Sequence, residues 1–174
     1  MCAKRIDSEN KIEVRGQRLE VRKIIAISIL IAIGVILQYV DSIIGGRIGI
    51  ANIVNIVALN VFSPLIVFFI AISRALIGGL VGGGVMSAMY SICGSLFAVS
   101  IMLSFKPSDK ISYIGIGILG ATAHNLGQII LACALLKSYT PFAYFSYLLV
   151  ISAITGAIVG YLGEVLYKRC QKYF

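Results

Sequence analysis

The side chains able to do chemistry in this sequence fall into three small groups, each set among apolar residues. Arg74 stands alone. His124, Asn125 and Gln128 follow one another closely enough to share one side of a helix. Asn52, Asn55 and Asn60 crowd one short apolar stretch, with Arg47 just ahead of them. A guanidinium offers a planar fork of five N–H donors, so Arg74 has three readings: a contact to an anionic ligand, half of a gating pair, or a donor to helix-end carbonyls. The His-Asn-Gln group supplies imidazole and amide donors and acceptors, suited to a ligand or to hydrogen bonds between helices. Three asparagines so close together are poor candidates to face lipid. Together the groups suggest a lined pocket, with Arg47, Asn52 and Asn55 above a layer of Arg74, His124, Asn125 and Gln128.

The inventory argues against catalysis by this chain. Asp41 and Asp109 fall at opposite faces of the expected topology, so no Ser-His-Asp constellation forms. The single His has no second His or Cys at ligand spacing, and no metal or other cofactor is expected. No two carboxylates within the apolar segments can share Mg²⁺ on a diphosphate. Gly115-x-Gly117-x-x-Gly120 matches a dinucleotide fingerprint, which requires a strand, a turn and a water-facing helix start. Here it lies inside an apolar segment, where packing is the better reading. A phosphate-binding loop ending in Gly-Lys-Ser/Thr is absent from the sequence. Cys2, Cys93, Cys133 and Cys170 form no metal or redox spacing.

The elements that hold these residues follow from composition. Of 174 residues, 59% are apolar and 18 more are glycine, and only seven charged residues fall between Ile24 and Gly163. A soluble fold cannot be covered with so few charges, so an all-α integral membrane protein is expected. Breaks at Asp41–Arg47, Ser63–Pro64, Gly82–Gly84, Lys106–Lys110 and Lys137–Pro141 delimit six segments, 23–40, 48–62, 64–82, 85–105, 112–136 and 142–167. The second is too short for a full crossing of about 30 Å and is tilted, broken or paired with the third as a hairpin. Arg74 follows Ser63 by about 16 Å of helix, near mid-depth. Residues 1–22 alternate charge sign and read as a polar cytoplasmic tail, with room for a surface helix; 23–167 form the six-helix domain, and 168–174 a second cytoplasmic tail.

With six spans, twelve of the fifteen basic residues fall on one side, leaving Arg47 and Lys137 outside and Arg74 within. Short cytoplasmic loops retain Lys and Arg, so both termini are cytoplasmic and the chain is multi-pass in the cell membrane. The net charge of +8 sits beside the membrane, where it meets anionic lipid, and nucleic acid is not expected as a partner. Ser152, Gly156, Gly160 and Glu164 at four-residue spacing suit close helix packing. Ser28 and Ala32 make a similar small pair on a helix otherwise rich in Ile and Leu, where a partner subunit can dock.

Three stretches carry a family resemblance: Gly46-Arg47-Ile48-Gly49-Ile50-Ala51-Asn52-Ile53-Val54-Asn55-Ile56-Val57-Ala58-Leu59, Ser73-Arg74-Ala75-Leu76-Ile77-Gly78-Gly79, and Gly120-Ala121-Thr122-Ala123-His124-Asn125-Leu126-Gly127-Gln128. They resemble the Gx transporter family, also described as heptaprenyl diphosphate synthase component I. That family in turn resembles the S components of energy-coupling factor (ECF) transporters. The resemblance implies six helices, cytoplasmic termini, and capture of a small molecule from outside, with an anion among the candidates because of Arg74. It implies a T component and two ATPase subunits as partners. S components often dock through Ala-x-x-x-Ala on the first helix, to which Ser28-x-x-x-Ala32 is the nearest match. The alternative is a non-catalytic membrane subunit of an isoprenoid, quinone or electron-transfer assembly, beside a soluble prenyl synthase. The chain has no Asp-Asp pair of the kind prenyl elongation uses.

Overall fold

A computed structural model describes residues 2–43, 49–105 and 111–171, with side chains from Gln17 onward. The order is α1 (Cys2–Ile43), α2 (Asn52–Val61), α3 (Pro64–Ser104), α4 (Tyr113–Leu136), a 3₁₀ turn (Thr140–Tyr144) and α5 (Phe145–Cys170). Local chemistry sets the ends. Pro64 opens α3 where a missing N–H costs nothing, and Ser112 caps α4 by accepting from the Gly115 amide at 3.2 Å. Lys137 closes α4 in a left-handed conformation at φ 49°.

Four described helical stretches, Gln17–Ile43, Pro64–Ser104, Tyr113–Leu136 and Thr140–Cys170, are long and apolar enough to cross a membrane. Their exposed faces are apolar, including Ile24, Ile36, Leu65, Phe69, Val150 and Ile154. This is the surface of a membrane protein. The polar stretch expected as a tail over 1–22 is helical from Cys2 and continuous with the apolar part of α1. At 42 residues α1 is about 63 Å long, twice the hydrocarbon thickness, so a good part of it lies outside the apolar layer.

Helix α3 is not one straight rod. Gly83 (φ −170°, ψ 16°) and Gly84 (φ 75°, ψ −165°) break it into arms 64–82 and 85–104. The Gly84 conformation is open essentially to glycine alone. The arms fold back on each other: Val67 and Val99, about 48 Å apart on a straight helix, belong to one buried cluster. A Cβ on Gly79 would come within 2.5 Å of the Ala88 Cα across this hairpin.

The short α2 is the centre of the bundle. Residues Asn52–Leu59 are all buried. One side meets Met102, Ile116 and Val159 through Ile53, Ile56 and Leu59; the other meets Val67, Ile70 and Val99 through Val54 and Ala58. A helix with apolar residues on two sides and buried asparagines between them has no face for lipid or water and needs neighbours all round. The small stripe of α5 packs on α4, with Ser152, Gly156 and Gly160 buried. Gly117 of the apparent dinucleotide fingerprint lies at this crossing, its Cβ position 2.7 Å from the Gly160 Cα, which accounts for that glycine by packing.

Added side chains should therefore have different effects at two glycines. At Gly156 a Cβ would lie 2.6 Å from the Ile118 Cα, so Gly156→Ala has to push two backbones apart. At Gly115 the nearest atom is a flexible methyl at 3.4 Å, and the helix favours alanine. Gly156→Ala should lower stability by about 1–3 kcal/mol, whereas Gly115→Ala should be neutral or stabilising by up to about 1 kcal/mol. Thermal melting of both variants in detergent is the measurement.

Candidate functional site

Arg74 lies on the first arm of α3 and is fully buried. Its stem runs against Gly34 of α1, where a Cβ would sit 2.7 Å from the Arg74 Cδ. The guanidinium is held by amide oxygens: Nε donates to Asn55 Oδ1 (3.3 Å), Nη1 to Gln38 Oε1 (3.1 Å) and Nη2 to Asn52 Oδ1 (3.1 Å). Asn55 Nδ2 also donates to Asn52 Oδ1 at 3.2 Å. None of the three acceptors is ionised. Among the described residues no carboxylate lies within ion-pair distance of Arg74. Asp41 acts on it only through its longer-range field.

Above this network the bundle opens into a cavity of about 420 Å³. It lies where the C-terminal end of α1, the start of the second α3 arm, the later half of α4 and the 3₁₀ turn converge. Gln38, Asp41 and Ser42 contribute from α1; Tyr90 and Ser91 from α3; Gln128 from α4. Gln38 joins the two levels. Its oxygen accepts from Arg74 while its Nε2 donates to Ser91 Oγ at 2.8 Å, so the buried cation fixes part of the cavity wall. Asp41 is 5% exposed; its Oδ2 accepts weakly from the Ala51 amide at 3.5 Å, and its Oδ1 has no partner.

The structure thus joins some of the expected site residues and separates others. Arg74, Asn52 and Asn55 form one network behind the cavity wall. Of the His-Asn-Gln group only Gln128 reaches the cavity. His124 leans on it, with Nε2 3.1 Å from Gln128 Nε2. With the amide nitrogen donating, the imidazole Nε2 accepts and the ring proton falls on Nδ1, which has no partner. Asn125 turns away, donating to Ser152 Oγ of α5 at 2.8 Å. One residue along a helix is a rotation of about 100°, so 124 and 125 face different neighbours. Asn60 pairs instead with Tyr113, whose hydroxyl donates to Asn60 Oδ1 at 3.2 Å.

Arg47 lies outside the described residues, as do Lys106, Asp109 and Lys110. Ser28 and Ala32 are exposed on α1, beside exposed Ile25, Ile29, Ile33 and Ile36. Among the described residues no three His, Cys, Asp or Glu side chains gather as metal ligands. Sequence reasoning missed Gln38, Ser42, Ser87, Tyr90, Ser91 and Tyr144, all on the cavity wall. A signal was present: Gln38–Ser42 and Ser87–Ser91 are polar i,i+4 pairs in otherwise apolar helices.

The Arg74 network behaves as a unit if its members share one buried charge. Asn55→Leu removes one acceptor and leaves Nε without a partner, at a cost of about 1–3 kcal/mol or more. Arg74→Met is costly on its own because it removes the donor to Asn55 Oδ1 and to Gln38 Oε1 and leaves Asn52 Oδ1 with only the Asn55 amide. The double variant should cost at least about 0.5 kcal/mol less than the sum of the singles, the coupling expected of groups in direct contact. Additive losses in chemical denaturation would show that the network is not coupled.

Comparison with known proteins gives one result. The family model for heptaprenyl diphosphate synthase component I matches residues 25–166. No curated protein and no solved structure matches the chain. The matched span runs from α1 through α5 and includes Arg74, Asn52, Asn55 and every described residue of the cavity wall. The chain belongs to the heptaprenyl diphosphate synthase component I family, the Gx transporter family.

Proposed function

We propose that the protein is an S-component-like membrane subunit of an ECF-type transporter, which captures a small molecule in the cavity at the Asp41 end of the bundle. The observation that carries this reading is the cavity itself: about 420 Å³, walled by apolar residues such as Ile129 and Leu148 and by convergent polar groups, and floored by side chains already bonded to one another. A bundle whose polar residues only satisfied one another would have no need of such a space. Binding pockets of this kind are concave, with few polar groups, and lie between helices.

The six-span topology belongs to the same proposal. Counted as separate segments, the arms of α3 bring the helical segments to six, with α2 short. The basic residues beyond α1's apolar part and after α5 then lie together, placing both termini in the cytoplasm and the cavity on the outer side of the cell membrane. Residues 1–22 and 168–174 are the polar cytoplasmic ends in this reading. The Ser28–Ala32 face is free on α1 for a T component, and the ATPases are separate chains.

The family's name favours a second reading, a non-catalytic membrane partner of a soluble prenyl synthase. Both readings leave the chemistry to another chain. Affinity purification followed by native mass spectrometry distinguishes them. Transport requires recovery of ATPase subunits with a T component, or of a retained small molecule; recovery with a soluble prenyl synthase alone overturns it.

A further inference from the structure

The cavity's charge pattern goes beyond its existence. Its described wall carries one charged side chain, Asp41, and no Lys or Arg. Arg74 is near but does not face the space: it is 0% exposed and each guanidinium nitrogen donates to an amide oxygen. Asp41 differs. It is more than nine-tenths buried, lines the cavity, and has one carboxylate oxygen with no partner. A buried carboxylate oxygen left without a donor is costly; the backbone amides of Gly49, Ile50 and Ala51 lie near the Asp41 carboxylate, yet no described residue makes a hydrogen bond to Oδ1.

The missing donor is one a ligand can bring. Tyr90 and Tyr144 stand in the same wall, and an aromatic ring attracts a cation over its face. Gln38, Gln128 and Ser91 add neutral hydrogen-bonding groups suited to a polar organic frame. A diphosphate, by contrast, carries several negative charges, which proteins meet with Arg, Lys, Mg²⁺ or helix N-termini. The described wall offers a carboxylate instead.

We infer that the cavity takes a small organic cation, a protonated amine or amidine whose N–H groups bond Asp41 and whose charge lies beside Tyr90 and Tyr144. The inference rests on the cavity being a capture site and names the class of molecule captured. The ligand's N–H donates to Asp41 Oδ1, and Gln38, pinned by Arg74, stays in place as a positioning residue.

Purified full-length protein in detergent would be titrated with tyramine, histamine and agmatine. Tyrosol, the neutral alcohol counterpart of tyramine, and inorganic diphosphate serve as comparisons. At least one of the three cations should bind, and the cation class should bind at least roughly tenfold more tightly than tyrosol, with diphosphate not binding. Asp41→Asn keeps the shape and removes the charge, and should weaken cation binding by roughly ten- to a hundredfold, the range for hydrogen bonds to charged groups. Because Asp41 also meets the Ala51 amide, Ser87→Leu provides a second variant that fills the wall without touching the Arg74 network, and it should abolish binding of every probe. Tyrosol binding as tightly as tyramine, diphosphate binding, or no cation binding overturns the inference. Diphosphate binding blocked by Ser87→Leu would leave the capture site standing and remove only the cation; recovery with a prenyl synthase alone would remove the capture site.

Discussion

A fully buried guanidinium with no bonded carboxylate among the described residues is the constraint around which this bundle is arranged. Burying an isolated cation is expensive, and Arg74 is the largest fully buried side chain among the described residues. Its cost is offset by geometry: three of its nitrogens meet three amide oxygens from two different helices. Two of these oxygens fix α2, whose Asn52 and Asn55 have to lie one turn apart and face α3. The third fixes α1, whose Gln38 has to come within reach while Gly34 makes room for the arginine stem. One side chain thus sets the relative placement of α1, α2 and α3.

Apolar packing then completes what the polar network begins. Lipid tails are as apolar as leucine, so helix association in a membrane rests on close contact and hydrogen bonds. The α4–α5 crossing obtains contact from Gly117, Gly156 and Gly160 and a hydrogen bond from Asn125 to Ser152. The α3 hairpin obtains it from Gly79 against Ala88. These tight crossings hold the bundle together along its length, while the end near Asp41 opens because α1 stops, α3 reverses and a 3₁₀ turn precedes α5. The cavity is what remains where the close packing ends.

Much of this arrangement is legible in single residues. Pro64, Gly82–Gly84 and Lys137–Pro141 mark breaks that the structure realises as a helix start, a reversal and a helix end. Asn52 and Asn55 signal a helix with no lipid-facing side, and both are 1% exposed. What sequence does not carry is the rotation of each helix against its neighbours. Asn125 and His124 are adjacent in sequence yet bond in different directions, because the α5 serine lies on one side and Gln128 on the other. Gln38 looks like an isolated polar residue until α3 and its returning arm bring Arg74 and Ser91 to it across 36 and 53 positions. The continuity of α1 from Cys2 was also hidden, since alternating charges lack the apolar period that marks a buried helix and are nonetheless compatible with helical i,i+3 pairing, as in Lys23–Glu20 at 2.9 Å.

Two opposite charges, kept apart, give the cavity its character. Arg74 is bonded through each of its three nitrogens to amides on one side of Gln38, and Asp41 retains an oxygen without a partner on the other. Had the two met directly, the charge of each would have been consumed within the protein, and the wall would be a neutral polar surface with little preference for a guest. Held apart, they leave the arginine as a structural cation held by amides in the packed interior and the aspartate as a group with one oxygen still lacking a donor. The amides do more than satisfy Arg74: by occupying it they deny an anion its most obvious partner in the bundle. The fold buries both charges, and turns the arginine into the packed interior while the aspartate lines the cavity.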